Sequence, residues 1–112
     1  MGETPVANAK ELAACVLDQL AGLEEIRCIP MMGGYVFYYR DRIFGGIYED
    51  GFLVKYTAAG RAWMPDSVPR PPYAGAKPML PVTILEEREN LQQMVREMYL
   101  ELPPRRQRKR KT

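Results

Sequence analysis

Apolar positions change their period twice along the chain. Ala9, Leu12, Ala13, Val16, Leu17 and Leu20 recur every three or four residues, the stripe of an amphipathic helix of about four turns. Its start is marked by Thr4-Pro5, or by Asn8-x-x-Glu11 as a capping box in which side chains satisfy orphan amides. Gly22 offers a left-handed stop. From Glu24 to Tyr56 the period becomes two. Ile26 and Cys28 share one strand face, and Tyr35, Phe37 and Tyr39 share another. A third run holds Ile43 and Ile47, a fourth Phe52, Val54 and Tyr56. Strands in such quick succession predict an antiparallel meander. Arg40-Asp41 supplies one tight turn and Asp50-Gly51 a strong hairpin signal, while Pro30, which cannot donate to a ladder, marks an edge or a bulge.

The stretch from Thr57 to Pro81 contains six prolines and reads as loop with one turn of helix around Ala58 to Met64. Trp63, Tyr73, Met79 and Leu80 give it apolar anchors that a free linker lacks, and Met79 to Thr83 is placed as a fifth, edge strand broken by Pro81. The helical period then returns through Leu85, Leu91, Met94, Val95, Met98, Tyr99 and Leu102. Thr83-x-x-Glu86 is a candidate capping box and Pro103-Pro104 the stop. The order predicts an α+β domain over residues 1–104: an antiparallel sheet of about five strands with an N-terminal and a C-terminal helix packed on it.

Charge adds a feature that the apolar pattern does not show. The net charge is +2 over 112 residues, yet Arg105, Arg106, Arg108, Lys109, Arg110 and Lys111 supply six of the sixteen basic residues. Residues 1–104 hold ten basic and fourteen acidic residues, a net −4, so a mildly acidic body precedes a basic tail, residues 105–112, expected to be disordered. Those six cations are candidate contacts for nucleic-acid phosphates, weak and non-specific, with a purely solubilising tail as the competing reading.

The absence of histidine excludes His-based acid–base chemistry, His-activated nucleophiles and His-ligated metals. Cys15 and Cys28 have no CxxC spacing and read as buried free thiols. No apolar run reaches the roughly 18 residues of a membrane span, and no basic-then-apolar leader opens the sequence, so a cytoplasmic protein is expected, without membrane contact. No cofactor is expected.

Gly33-Gly34 and Gly45-Gly46 lie within strand patterns, match no phosphate-loop spacing and precede no helix. They read as a bulge, or as room for large neighbours, with Gly45-Gly46 opposite Val36 and nearby aromatics. The aromatic strands read as core or dimer interface in preference to a stacking platform for bases. Glu86, Glu87 and Glu89 complement a helix start better than they make an acid–base set. The methionines, Met31, Met32, Met64, Met79, Met94 and Met98, read as adaptable packing or a partner face. A small-molecule or enzyme site is conceivable where Lys55, Arg61, Tyr73 and Lys77 offer polar groups, but no reactive constellation accompanies them.

One segment has a family look. Met31, Gly33, Gly34 and Tyr35, then Ile43, Phe44 and Gly45, then Leu53 and Lys55 resemble the N-terminal domain of the TfoX/Sxy competence regulators, and Leu85, Glu86, Leu91 and Val95 resemble that family's approach to its last helix. Met32 stands where the family usually has phenylalanine and Asp41 where its turn has glycine, and the Pro-rich middle is unlike the family's more helical one. The resemblance implies a secretion-chaperone-like α+β fold. It also implies a non-enzymatic regulatory or protein-interaction role, since longer members act as coactivators of DNA-uptake genes with a DNA-bound cyclic-AMP receptor protein and carry a further C-terminal domain. The expectation for this chain is the stand-alone bacterial domain, with a protein partner or a second copy of itself, and no catalytic, cofactor or metal residues to carry over.

Overall fold

The computed structural model describes residues 9–31 and 33–103. Helix α1 (Ala9–Gln19) is followed by strands β1 (Ile26–Met31), β2 (Gly34–Tyr39), β3 (Arg42–Tyr48) and β4 (Gly51–Lys55). Helix α2 (Ala58–Trp63), strand β5 (Met79–Pro81) and helix α3 (Arg88–Met98) come next, and a 3₁₀ turn, Tyr99–Glu101, extends α3. The strands form one antiparallel sheet in chain order. The α+β architecture with five strands is therefore the one the periodicity implies. Arg40 and Asp41 both take left-handed backbone (φ +50° and +71°), the mirror-image turn whose twist matches its flanking strands. Gly51 does the corresponding work after β3 at φ +103°. Pro30 falls on β1, an edge of the sheet.

Alternate residues of the sheet face the helices. Phe37, Tyr39, Phe44, Ile47, Phe52, Val54 and Leu80 pack there against Val16 and Leu20 from α1 and against Leu91, Met94, Val95 and Met98 from α3. The Phe37 ring lies 6.0 Å from Phe44 and 5.5 Å, edge-on, from Phe52. Each such buried ring contributes roughly 1.5–3 kcal/mol by removal from water. The two long helices are also joined by side-chain amides: Gln19 Nε2 donates to the Leu85 carbonyl (2.6 Å), and Gln92 Nε2 to the Gln19 carbonyl (2.8 Å).

That second bond corrects an expectation. Gly22 is not left-handed, because the orphan carbonyl at the end of α1 is already satisfied by Gln92. Gly22 instead leaves space for that amide, since a Cβ there would stand 2.9 Å from Gln92 Oε1, and the left-handed residue of this connection is Glu25 (φ +58°). The start of α3 differs too. The Thr83-x-x-Glu86 box does not form: the Thr83 amide donates to Met64 Sδ (3.3 Å), Ile84 to Glu87 make a separate turn, and the helix begins at Arg88. Of the acidic trio only Glu89 therefore lies in a first helical turn. Strand β4 stops at Lys55, leaving Tyr56 exposed beneath the Arg61 guanidinium. The alternative caps proposed at Thr4 and Asn8 lie outside the described residues.

The Pro-rich stretch is tied to the sheet at several points. Ser67, buried, donates its hydroxyl to the Pro81 carbonyl (2.6 Å), and Arg70 and Met79 exchange backbone bonds of 2.8 Å. Arg70 also meets Asp50 at 3.2 Å. The predicted helical turn is α2, capped twice over: Thr57 Oγ1 accepts from the Gly60 amide (2.9 Å), and Glu101 accepts from the amides of Ala58 (2.7 Å) and Ala59 (3.0 Å). A six-residue helix is marginal alone, so this carboxylate from the far end of the chain helps hold it. Glu101→Gln should lower stability by about 1 kcal/mol, read as a fall in denaturation midpoint.

Candidate functional site

The glycine-aromatic segment is sheet. A register shift between Phe37 and Tyr38 leaves Phe44 as an extra residue of β3, a bulge immediately before Gly45. Gly45 lies opposite Phe37, and Gly46 opposite Val36, as the spacing suggests. The space they leave is taken mainly by backbone. A Cβ on Gly45 would fall on the Leu53 carbonyl oxygen, one on Gly46 on that of Tyr35, and one on Gly34 on that of Ile47. The Tyr48 ring also lies over Gly46. Gly33 differs: it sits outside the strands, in the β1–β2 turn, at φ +84° with open space around it.

The remaining family positions serve packing. Phe44 is fully buried, Tyr35 packs on the core, and Lys55 pairs with Met79 at the β4–β5 step. Met31 is an exception at 49% exposure. By strand alternation it shares the face away from the helices with Ile29, Tyr38 and Ile43, all half-buried, and Arg27 stacks on Tyr38 at 5.4 Å. Of the other methionines, Met64, Met79, Met94 and Met98 are buried, and Met32 lies outside the described residues.

The four polar groups considered for a small-molecule site are not brought together by any described contact. Arg61 donates to the Tyr56 hydroxyl (2.8 Å), whereas Tyr73, 66% exposed, leans on Tyr48 with ring centres 6.5 Å apart. Burial first, then the neighbouring Tyr73, pushes the Tyr48 hydroxyl above its ordinary pKa. Cys15 is exposed, which corrects its reading as a buried thiol, because it faces away from the α1 stripe; Cys28 is half-buried, and burial raises its thiol. Among the described residues no group of three or more His, Cys, Asp or Glu is placed to hold a metal ion. No described helix is long and apolar enough to cross a membrane. The basic residues Arg105, Arg106, Arg108, Lys109, Arg110 and Lys111 lie outside the described residues.

Sequence reasoning passed over two surface networks. In one, Glu97 accepts from Trp63 Nε1 (2.8 Å) and from Gln93 Nε2 (3.1 Å), which holds its carboxyl below the ordinary glutamate range. A depressed carboxylate contributes above its unfolded pKa, and the contribution is lost as pH falls through the folded one. Trp63 is the only tryptophan. Its emission should therefore shift at a pH below the ordinary glutamate range, and Glu97→Gln, which can still accept but cannot titrate, should abolish that step. The second network centres on Arg42, whose Nη1 donates to the carbonyls of Tyr99 (3.0 Å) and Leu102 (3.2 Å) while the guanidinium lies 4.2 Å over the Tyr99 ring.

These features define a class of protein: an α+β domain whose sheet is closed by two helices on one face and whose glycine motif brings strands together. The chain belongs to the TfoX N-terminal domain family, which it matches over residues 18–102. It is also 31% identical, over 108 residues, to an uncharacterized 12.7 kDa protein in the trpE 5′ region of Spirochaeta aurantia. That alignment covers 96% of this chain and 94% of the spirochaete protein. No solved structure matches the chain.

Proposed function

We propose that the chain is a regulatory protein-interaction domain, working by docking and without catalysis, whose working unit is the single domain 1–104 with its basic tail. The observation that carries this reading is the placement of the family positions. Gly34, Gly45, Phe44 and Tyr35 build a sheet, and none of them presents a reactive group. The partner is another protein surface, with self-association as a special case, and family membership supports a link to transcription or competence control. The face that supports docking is the outer side of β1–β3, where Met31 stands exposed among Ile29, Tyr38 and Ile43.

A photo-crosslinker at position 31 should capture a defined partner or a second copy in cells, one at position 15 on exposed α1 should not, and Met31→Glu should abolish the capture. As a surface change, Met31→Glu should alter stability by no more than about 0.5 kcal/mol. Equal capture at both positions would sink the docking face. A metabolite that raised the melting temperature saturably would favour a small-molecule function instead.

A further inference from the structure

The two edges of the sheet differ. On β5 the positions that turn their backbone outward are Met79 and Pro81, and both are satisfied within the chain. Met79 exchanges two bonds of 2.8 Å with Arg70, while Pro81, which has no N–H, gives its carbonyl to the Ser67 hydroxyl (2.6 Å). The other edge is β1. There the Arg40 amide donates to the Glu25 carbonyl (3.1 Å), and bonded positions alternate along an antiparallel pair. Arg27, Ile29 and Met31 therefore bond to β2, and Ile26, Cys28 and Pro30 turn their backbone groups away from the sheet. Among the described residues none of those outward groups has a hydrogen-bond partner. The features that usually guard an edge are weak here as well. Strand β1 runs six residues against the three of β5. Its one charged side chain, Arg27, is drawn back over Tyr38 (5.4 Å) and onto Asp41 (3.5 Å).

We propose that β1 pairs antiparallel with β1 of a second copy, the two Cys28 residues directly opposite, so that two sheets become one across a two-fold axis. This goes beyond the docking face, because it commits to one partner and uses the backbone edge of the sheet. The side chains select the occupant. Ile26 and Cys28 flank the edge on the helix side and Ile29 and Met31 on the other, so an incoming strand must be apolar on both faces, and β1 is itself such a strand. The backbone selects the register. Centred on Cys28, each Cys28 amide meets the Cys28 carbonyl of the other copy and each Ile26 amide meets a Pro30 carbonyl, so all four outward donors, two from each copy, are used. Pro30 has no N–H to strand, and the Ile26 carbonyls that it faces lie at the ends of the pairing, open to water. Neighbouring registers are worse. Centring on Arg27 sets like charges directly opposite, and centring on Ile29 carries the Ile26 amides past the end of the other β1.

The test is sedimentation equilibrium of the full chain, joined to trapping with diamide, which oxidises two thiols to one disulfide and is itself reduced to the hydrazine. Facing Cα atoms of a bonded antiparallel pair stand about 5.5 Å apart, inside the roughly 4.4–6.8 Å that a disulfide spans. A reversible monomer–dimer equilibrium is expected. Where the dimer predominates, Cys15→Ser should give a disulfide-linked dimer, and Cys15→Ser combined with Cys28→Ser should give none. Cys28→Pro removes the central donors without touching a bond to β2, and should weaken dimerisation at least about tenfold. Should Cys28→Pro lower the melting temperature, amide hydrogen exchange of the parent chain decides instead. Ile26 and Cys28 should then gain protection as protein concentration rises, while Met79 should not change. The proposal is overturned if the chain sediments as a monomer at every concentration, if the dimer forms without linking through Cys28, or if a folded Cys28→Pro dimerises like the parent. A monomer that still captures another protein at position 31 would overturn the edge pairing and leave the docking face standing. A Cys28-linked dimer with equal capture at positions 31 and 15 would do the reverse.

Discussion

Gly45→Ala should lower stability by about 3 kcal/mol, the upper end of what an overpacked methyl costs, and depress the melting temperature by roughly 10–20 °C. The added Cβ would fall on the Leu53 carbonyl oxygen and stand 3.0 Å from Val54 Cα and 3.1 Å from Val54 Cγ1. Two of those three atoms are backbone, so the clash cannot be relieved by a side-chain rotation; β3 or β4 must move. Movement there is costly because Phe44, the bulged residue one position before, is fully buried against Phe37, and Val54 itself has no exposed surface. The control is Gly33→Ala. Its neighbourhood is open and only its φ of +84° resists a side chain, so about 1 kcal/mol is expected. The two glycines are then separated by their rescues. Gly33→Asn should recover part of the loss, since asparagine visits left-handed backbone, whereas Gly45→Asn should be worse than Gly45→Ala. Truncating Leu53 to Ala should not rescue Gly45→Ala, because the obstruction is its carbonyl. Equal losses at both glycines in chemical denaturation would refute the distinction.

That distinction also marks what a sequence can and cannot disclose here. The period of two, the Arg40-Asp41 turn and the Asp50-Gly51 signal are local, and each reappears in the sheet because nothing distant competes with it. Gly34, Gly45 and Gly46 are legible as packing devices, but the agent filling their space is not, since a facing carbonyl leaves no trace in residue type; Gly33, read with them, is instead a left-handed turn residue with open space around it. The errors have the same origin. Gly22 is an ordinary helix stop by local rules, yet Gln92, seventy positions away, already caps the helix end and needs the room. Thr83-x-x-Glu86 is a good local box, yet the Thr83 amide is engaged by Met64 and the chain makes one more turn before α3 starts. The carboxylate that completes the α2 cap comes from Glu101, which no window around Ala58 contains. Candidate chemistry is legible mostly as exclusion, from the missing histidine, and the basic run Arg105 to Lys111 lies outside the described residues.

Arg42→Met should therefore be the second large loss, about 2–3 kcal/mol, since two hydrogen bonds from a charged donor and a stacked guanidinium disappear together. Methionine keeps much of the aliphatic stem, so the loss reports the guanidinium and not a cavity. At the end of the last helical segment the Tyr99 carbonyl accepts from the Leu102 amide (3.2 Å), and Arg42, from a different element, adds a second donor to it and reaches the Leu102 carbonyl as well, while Tyr99 stacks beneath it and meets Tyr39 edge-on at 5.6 Å. Arg42→Lys should restore only a minor part, because an ammonium cannot lie flat on the ring and reach both oxygens. Salt separates this contact from the exposed ion pairs. Its acceptors are neutral carbonyls, so the penalty should persist at about 1 M salt, where a pair such as Arg88–Asp18 is screened out. Hydrogen exchange should show faster protection loss at Leu100 to Leu102 than at Phe37 or Val54. Uniform acceleration across the sheet would mean that Arg42 supports the whole fold and does not specifically fasten its final turn.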